Sequence, residues 1–280
     1  MIVDFHTHTS ESDGELSPER LIDRANFLGV EQLAITDHDT LDGWRLAKKY
    51  CDGLHLSLNL RTGVELSSQW MGNPVHIVGV DVNPADDSLN RLSQDLFLAR
   101  FQRAQKISAR LDRRGFKGAL EGVMNLAGKA PISRPHFAKW MTLKGYTKSV
   151  SSAFKSYLGR GKIGDVSADW PSIEYVLQII HRARGISILA HPLKYGFSNS
   201  KLRKLLTQFC VCNGMAIEVI SGRQTSEQTS SLSSLANDFS LAVSVGSDFH
   251  GDRSFRANVG IDTANFSFKP AIWNGNFRQS

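Results

Sequence analysis

The chain has 280 residues, 41% hydrophobic and 21% charged, with a net charge of +6 and a pI near 9.3. That is enough apolar material for one α/β barrel or two modest domains without disulfide or metal staples, and no run approaches the roughly eighteen consecutive apolar residues of a membrane span. The N-terminus also lacks the basic-then-apolar pattern of a secretory signal, so a membrane protein is disfavoured, a cytoplasmic location is expected, and the basic excess points to an anionic partner.

Three cysteines, Cys51, Cys210 and Cys212, are odd in number and have no zinc-type spacing with histidine. A reducing compartment is expected, with Cys210 and Cys212 read as core residues of one element rather than a redox pair.

In chain order, Ile2-Val3-Asp4-Phe5 reads as a short buried strand that delivers His6 and His8, with Asp13 and Gly14 in the following turn. Residues two apart on a strand point the same way, so His6 and His8 can grip one metal ion and Asp13 can reach a second. Ser17-Pro18 starts a helix with the stripe Leu21, Ile22, Ala25 and Leu28, and Gly29 stops it. Strand-like runs then recur at Leu33–Thr36, Arg61–Glu65, Val75–Val80, Ile186–Ala190, Met215–Ile220 and Leu241–Gly246. Most carry a metal-binding type of residue at or near one end: His38, Glu65, His76, His191, Glu218, Asp248 and His250. Active sites of parallel barrels and open α/β sheets gather where strand ends converge, so seven strands with interleaved helices predict a distorted or incomplete βα barrel over an open doubly wound sheet.

Between residues 88 and 165 the alternation breaks down. Ser88 to Arg114 predicts one long helix with Phe97, Phe101, Ala104, Ser108 and Leu111 on one face and a basic band of Arg100, Arg103, Lys106, Arg110 and Arg113 beside it. Arg100 falls at the edge of the apolar stripe. A second helix begins at Ser133, followed by Arg134-Pro135-His136, and a helix N-terminus beside an arginine suits a phosphate. Gly159-Arg160-Gly161-Lys162 leads back to the barrel, and Ser226 to Ser234 reads as a polar loop or helix start. Residues 88–165 are thus expected to be a helical insertion covering a site built from 1–87 and 166–280.

The donors are imidazoles and carboxylates without suitably placed thiolates, which favours a catalytic over a structural metal site. His6, His8, His38, His191 and His250 each follow a predicted strand, and burying that many imidazoles without a ligand would demand a separate partner for each. His76 lies inside an apolar strand. Asp248 and His250 repeat the spacing of His6 and His8. Asp4, Asp37 and Asp39 are expected to orient ligating imidazoles; His55 and His181 are given no functional role.

At these residues the sequence closely resembles the polymerase-and-histidinol-phosphatase (PHP) superfamily of metal phosphoesterases. The resemblance rests on HTHTSESDG at 6–14, ITDHD at 35–39, GVELS at 63–67, HIVGV at 76–80, AHP at 190–192 and GSDFH at 246–250. It implies an α/β fold, a distorted (β/α)7 barrel with an inserted small helical subdomain, and two or three divalent metals. His6, His8, Glu65 and Asp248 would hold one ion; Asp13, His38 and His250 a second; Glu65 would bridge to a third held with His76 and His191. Asp13, His38, His191 and Asp248 are the candidate catalytic residues within that set. The family often has histidine where Asp13 stands, and the SDG form is typical of one branch. Mn²⁺ is the first choice for this mixed donor set, with Fe²⁺ or Zn²⁺ as alternatives.

FQRAQKI at 101–107, SRPHFAKW at 133–140 and YLGRGKIGDV at 157–166 resemble the subgroup of nucleoside 3′,5′-bisphosphate phosphatases and RNase AM-type 5′-to-3′ exoribonucleases. The expected function is hydrolysis of 5′-phosphorylated nucleotides or short RNA by metal-activated water, with Arg100, Arg134, His136 and Lys162 as substrate-binding candidates and no obligate protein partner. The rival readings are a phosphatase of a small monoester such as histidinol phosphate, and a metal-stabilised nucleic-acid-binding protein without catalysis.

Overall fold

The computed structural model describes residues 1–54, 56–252, 257–264, 266 and 270–274; His55 lies outside them. The strands are β1 (Ile2–Thr7), β2 (Gln32–Ile35), β3 (Asn59–Trp70), β4 (Asn73–Val80), β5 (Ile186–Leu189), β6 (Ala216–Ser221), β7 (Ala242–Gly246) and β8 (Ile261–Asp262). They form one sheet in the order β7-β6-β5-β4-β3-β2-β1-β8. Past β7, Phe249 bridges in parallel to Thr7, and Asp248 N–H donates to the His6 carbonyl at 2.8 Å. The sheet therefore closes only at the end where β1 finishes. At the start of β1, β8 pairs antiparallel with Ile2 and Val3 instead. The expected distorted barrel is what the chain builds.

Two features depart from the expected alternation. The 61–65 strand extends to Trp70 and turns back through Met71 and Gly72, at φ 47° and 71°, directly into β4. No helix separates them. Paired left-handed residues match the twist of a tight hairpin, and the polar Ser67, Ser68 and Gln69 hid the continuing strand from an apolar-run criterion. Consequently β4 runs antiparallel to both β3 and β5. The eighth strand, two residues long, carried no periodic signal.

Helices α1 (Pro18–Phe27) and α2 (Asp42–Cys51) pack through Leu21, Ile22, Ala25 and Ala47 against Leu33, Ile35 and Phe249. The start and stop of α1 follow the expected chemistry: Ser17 Oγ accepts from Arg20 N–H at 3.4 Å, and Gly29 has φ 71°. Helix α3 (Asp87–Asp112) serves two cores. Leu89, Leu92 and Leu96 join the barrel core. Ala104, Ile107 and Leu111 join a separate cluster with α4 (Ala119–Ala127), α5 (Arg134–Leu143) and α6 (Val150–Ala153), which runs into a π-helical turn at Phe154–Leu158. The buried stripe is rotated from the expected one: Phe97 is 41% exposed, while Leu96 and Arg100 point inward. The run 89, 92, 96, 100, 104, 107, 111 has the helical spacing, with an arginine in a place that hydropathy alone gives to an apolar residue.

Helices α7 (Ile173–Arg182), α8 (Asn199–Val211) and α9 (Ser226–Asp238) cover β3 to β7. The Ser226–Ser234 stretch is thus a full helix, capped by Thr225 and Gln228 and buried through Leu232, Leu235 and Ala236. Its serines face outward, which masked the short apolar stripe. Cys210 and Cys212 are half-buried free thiols at the end of α8, and Cys51 is also free. His181 Nε2 lies 3.3 Å from Ser187 Oγ, an ordinary packing contact. No helix among the described residues is long and apolar enough to cross a membrane.

Candidate metal centre

The finishing ends of the parallel strands converge on one ring of side chains. His6 lies one residue before the end of β1 and His8 just past it; Asp13 comes from the next turn, His38 from beyond β2, His191 from beyond β5, and Asp248 and His250 from beyond β7. Glu65 lies within β3. The reversal of β4 explains His76, which stands near the beginning of its strand because that end of an antiparallel strand faces the site.

Glu65 is at the centre. Its Oε1 lies 2.9 Å from His76 Nδ1 and 2.8 Å from His191 Nε2. Its Oε2 lies 3.2 Å from His6 Nε2, 3.3 Å from His8 Nε2 and 3.0 Å from His38 Nδ1. Asp248 Oδ1 lies 3.6 Å from His6 Nε2 and 3.3 Å from His8 Nε2. Asp13 faces His250 Nε2 at 3.2 Å and His38 Nε2 at 3.9 Å. Four overlapping donor sets result: His8, Asp13, His38 and His250; His6, His8 and Asp248; His6, Glu65 and His191; His38, Glu65 and His76.

These residues fit divalent cations. Metal–ligand bonds of about 2.0–2.2 Å in tetrahedral geometry separate donors by about 3.3–3.6 Å, close to the 3.2–3.6 Å between the His6 and His8 nitrogens and the Glu65 and Asp248 oxygens. His6 Nε2, His8 Nε2, Asp13 Oδ1, His38 Nδ1, Glu65 Oε2 and His191 Nδ1 are buried without a hydrogen-bond partner. Native interiors rarely leave polar atoms that way, and an ion is one standard remedy. Backbone strain gathers here too. Asp39, His191 and Asp248 have φ of 59°, 30° and 51°, a region non-glycine residues enter at a cost that cores otherwise avoid.

The protonation pattern shows carboxylates in search of positive charge. Burial opposes charge on His6, but Glu218 and Glu65 outweigh it and raise the ring to about 10. Burial dominates at His38 and His191, which fall to about 3 and about 4. Burial pushes Asp13 up, yet His250 and His38 hold it well below the usual carboxylate range.

One supporting residue was named from the sequence only as a metal-binding type on its strand and given no role. Glu218, 2% exposed on β6, accepts from His6 Nδ1 at 2.9 Å and from His191 N–H at 2.6 Å. That bond puts the proton on Nδ1 and aims the Nε2 lone pair into the ring. Its only sequence signal was a carboxylate on an otherwise apolar strand. Asp4, Asp37 and Asp39, expected to orient imidazoles, bind elsewhere. Asp4 accepts from the backbone N–H groups of His6, Ser247 and Gly260. Asp37 accepts from Thr9 and Ser12, touching His8 only through Ser12 Oγ. Asp39 accepts from Ser67 N–H at 2.6 Å, Ser67 Oγ at 2.9 Å and Arg100 Nε at 2.5 Å. Asp37 and Asp39 flank His38 beyond the end of β2, and Asp4, although on the same face of β1 as His6, is taken up by backbone N–H groups, so each fixes the loops rather than a ring.

The helical insertion brings cations to the Asp13 side. Arg100 is 4% exposed, with Nε on Asp39, Nη2 on Ser67 Oγ at 2.9 Å and its guanidinium 5.6 Å from the Trp170 ring. Arg134 begins α5, its Nη1 3.3 Å from the Leu158 carbonyl and 3.8 Å from Asp165. Arg103, seen from the sequence only as part of the basic band, donates to the Val166 carbonyl at 2.7 Å and lies 5.9 Å from Trp170. Burial, followed by repulsion from Arg134 and Arg100, lowers Arg103 to about 9. Arg134 is lowered by burial and Arg100 even with Asp165 opposing. His136 is 8% exposed; its Nδ1 accepts from Ser133 N–H at 3.0 Å, which leaves Nε2 as the protonated nitrogen. Burial lowers its pKa against the pull of Asp13. Lys162 stands apart, exposed in the turn at 159–165, with no side-chain contact to the arginines among the described residues. A recess of about 840 Å³ between α9 and Phe266 contains no titratable side chain and offers no comparable chemistry.

The PHP domain model matches residues 4–162. The 5′-3′ exoribonuclease Rnm of Escherichia coli K12 is 39% identical over 250 residues, covering 89% of this chain and 85% of that protein. The 3′,5′-nucleoside bisphosphate phosphatase of Chromobacterium violaceum is 34% identical over 259 residues, covering 92% and 90%. A solved structure from Chromobacterium violaceum, described as an amidohydrolase with bound sulfate and no metal, superimposes with a TM-score of 0.86 at 32% identity over 93% of this chain and 91% of that one. The chain with this ring of imidazoles and carboxylates belongs to the PHP family.

Proposed function

We propose that this protein is a metal-dependent phosphoesterase that cleaves the 3′-phosphoester of nucleotides bearing a 5′-phosphate, either nucleoside 3′,5′-bisphosphates or RNA taken from its 5′ end. The observation that carries the reading is the adjacency of two anion-binding features: the donor ring and the guanidinium group of Arg100, Arg103 and Arg134. Arg100 holds Asp39, the neighbour of His38, and Ser67, two residues beyond Glu65, and Asp39 N–H donates to the Glu65 carbonyl at 2.9 Å, so the cluster borders the ring itself. Three arginines that raise one another's energy are relieved by a bound anion. A substrate with two neighbouring phosphates satisfies both features, whereas a small monoester such as histidinol phosphate brings no second anion to the arginines. Relatives that act as an exoribonuclease and as a bisphosphate phosphatase support this choice.

We assign His6, His8, Glu65 and Asp248 to one ion, Asp13, His38 and His250 to a second, and His76 and His191 to a third bridged by Glu65. Mn²⁺ is the preferred metal, with Fe²⁺ and Zn²⁺ as alternatives. Bound cations would neutralise charge on the phosphoryl oxygens and acidify the attacking water. The chain's own residues do the remainder. Arg134 and Arg103 hold the 5′-phosphate, Arg100 sets the positive field at the entrance while braced by Asp39 and Ser67, and Glu218 fixes the His6 ring. The 88–165 insertion is the substrate-binding unit on a barrel of 1–87 and 166–280, and the free thiols suit a cytoplasmic setting.

The test is turnover by the Mn²⁺-loaded protein of 3′,5′-bisphosphoadenosine, a 5′-phosphorylated short RNA and histidinol phosphate. Phosphate from the first or sequential 5′-mononucleotides from the second is expected, with Asp248→Ala slower by at least about a hundredfold, the upper range for disturbing a metal site. Turnover of histidinol phosphate alone would overturn the substrate assignment. RNA binding without any hydrolysis would overturn the enzyme assignment.

A further inference from the structure

The donor ring has two rims, and the insertion serves only one. Asp13, His38 and His250 share a donor set on the side where Arg100 holds Asp39 beside His38, whereas His191 shares a donor set with His6 and Glu65 but none with Asp13. Beyond the His191 rim runs a line of aromatic rings. His191 and Tyr195 stand edge to face at 5.5 Å, while the Tyr195–Phe197 and Phe197–Trp70 pairs are tilted, at 5.4 Å and 6.0 Å. Tyr195 is locked in place: its hydroxyl donates to the Ala190 carbonyl at 2.7 Å and accepts from His76 N–H at 3.1 Å. Trp70 is 7% exposed. Phe197 is partly buried. Lysines accompany it: Lys201 Nζ lies 4.3 Å from the Phe197 ring centre and donates to Asn73 Oδ1 at 3.1 Å, and Lys194, 51% exposed, pairs with Asp248 at the rim.

An apolar ring with two ammonium groups, continuous with a phosphoester site, has the composition of a single-stranded nucleic-acid platform, in which aromatic faces take bases and cations follow the backbone. We propose that Phe197 and Lys201 bind the nucleotide on the 3′ side of the scissile phosphate, which makes the site one for RNA chains and not only for nucleoside bisphosphates. The inference rests on the phosphoesterase reading above. If the 5′-phosphate sits with the arginines and the reacting phosphate at the ring, the rest of an RNA chain leaves across the opposite rim. There the base rests against Phe197 and the next phosphate draws the Lys201 ammonium off the ring, a change the flexible lysine stem permits.

The experiment compares Phe197→Ala, Lys201→Ala and Phe197→Trp with the wild type on two substrates, 3′,5′-bisphosphoadenosine and a 5′-phosphorylated tetranucleotide RNA. It adds fluorescence-anisotropy binding of the same labelled RNA in EDTA. Loss of a stacking residue is expected to lower kcat/KM and affinity for RNA about tenfold or more. Turnover of the bisphosphate, which has no downstream nucleotide, should stay within about twofold, and Phe197→Trp should restore RNA turnover. Equal losses on both substrates, or wild-type RNA affinity in Phe197→Ala and Lys201→Ala, would overturn the platform. If the wild type hydrolyses neither substrate, the phosphoesterase reading fails separately, and the binding arm still decides whether RNA lies across Phe197.

Discussion

Arg100→Ala tests whether the buried arginine holds the centre's frame together. Arg100 and Asp39 have side-chain exposures of 4% and 0% and meet at 2.5 Å. Removing one partner of such a pair leaves the other charge stranded, at a cost of about 3–5 kcal/mol. Asp39 keeps the Ser67 amide and hydroxyl, at 2.6 and 2.9 Å, so the lower end, about 3 kcal/mol, is expected. At about 2–4 °C per kcal/mol for a chain of this order, the melting temperature should fall by about 6–12 °C. Chelated protein is the right sample, since bound cations would add their own linkage to the transition. The double variant Asp39→Asn/Arg100→Met removes both charges, keeps an oxygen for Ser67 and retains a residue tolerant of φ 59° at position 39. It should recover to within about 1–2 kcal/mol of the wild type, because the desolvation penalty disappears with the charges. An Arg100→Ala loss below about 1 kcal/mol in denaturant titration would refute the claim that the buried Asp39 charge depends on Arg100.

Metal-free protein should lose stability as pH rises from 6.5 towards 10. His6 is raised to about 10 because Glu218 and Glu65 overcome burial; a raised base stabilises fully below its unfolded value and ceases to as pH passes its folded one. Added metal should reverse that slope, since cations and protons compete for the same nitrogen; identical melting-versus-pH curves with and without EDTA would contradict this. Glu218→Gln should weaken metal binding about 10–100-fold with an unchanged circular dichroism spectrum, and undiminished affinity in a metal titration would remove Glu218 from its assigned task. Gly246→Ala places a Cβ against His6 Cβ and 2.7 Å from Glu218 Oε1, so about 1–3 kcal/mol of overpacking is expected; wild-type melting would show that the ring yields freely. Leu96→Ala should cost about 2–5 kcal/mol and Phe97→Ala within about 0.5, and the reverse order would rotate the α3 face back to the one the hydropathy pattern suggested.

The sequence by itself determined what local chemistry specifies. A strand that alternates Val3 and Phe5 with Asp4 and His6, a Ser17-Pro18 helix start and the motif residues 6–14, 35–39 and 246–250 were legible because each depends on neighbours in the chain. The donor types, and so the class of metal chemistry, were legible for the same reason. Tertiary structure alone decided the rest. The direction of β4 depends on a two-residue turn at Met71-Gly72 and on pairing with β5 more than a hundred residues later, and it alone explains why His76 sits near its strand's beginning. Glu218 acquires a task only when β6 lies beside His6 and His191. Arg100 occupies a core position because Asp39, Ser67 and Trp170 wait there, which hydropathy along α3 cannot register. Phe197 and Lys201 form a patch only where the end of β5 meets the β3–β4 hairpin. Local propensity acts over a few residues, whereas partners for buried charge are chosen by whatever the closed sheet brings within about 3 Å, the reach of a hydrogen bond.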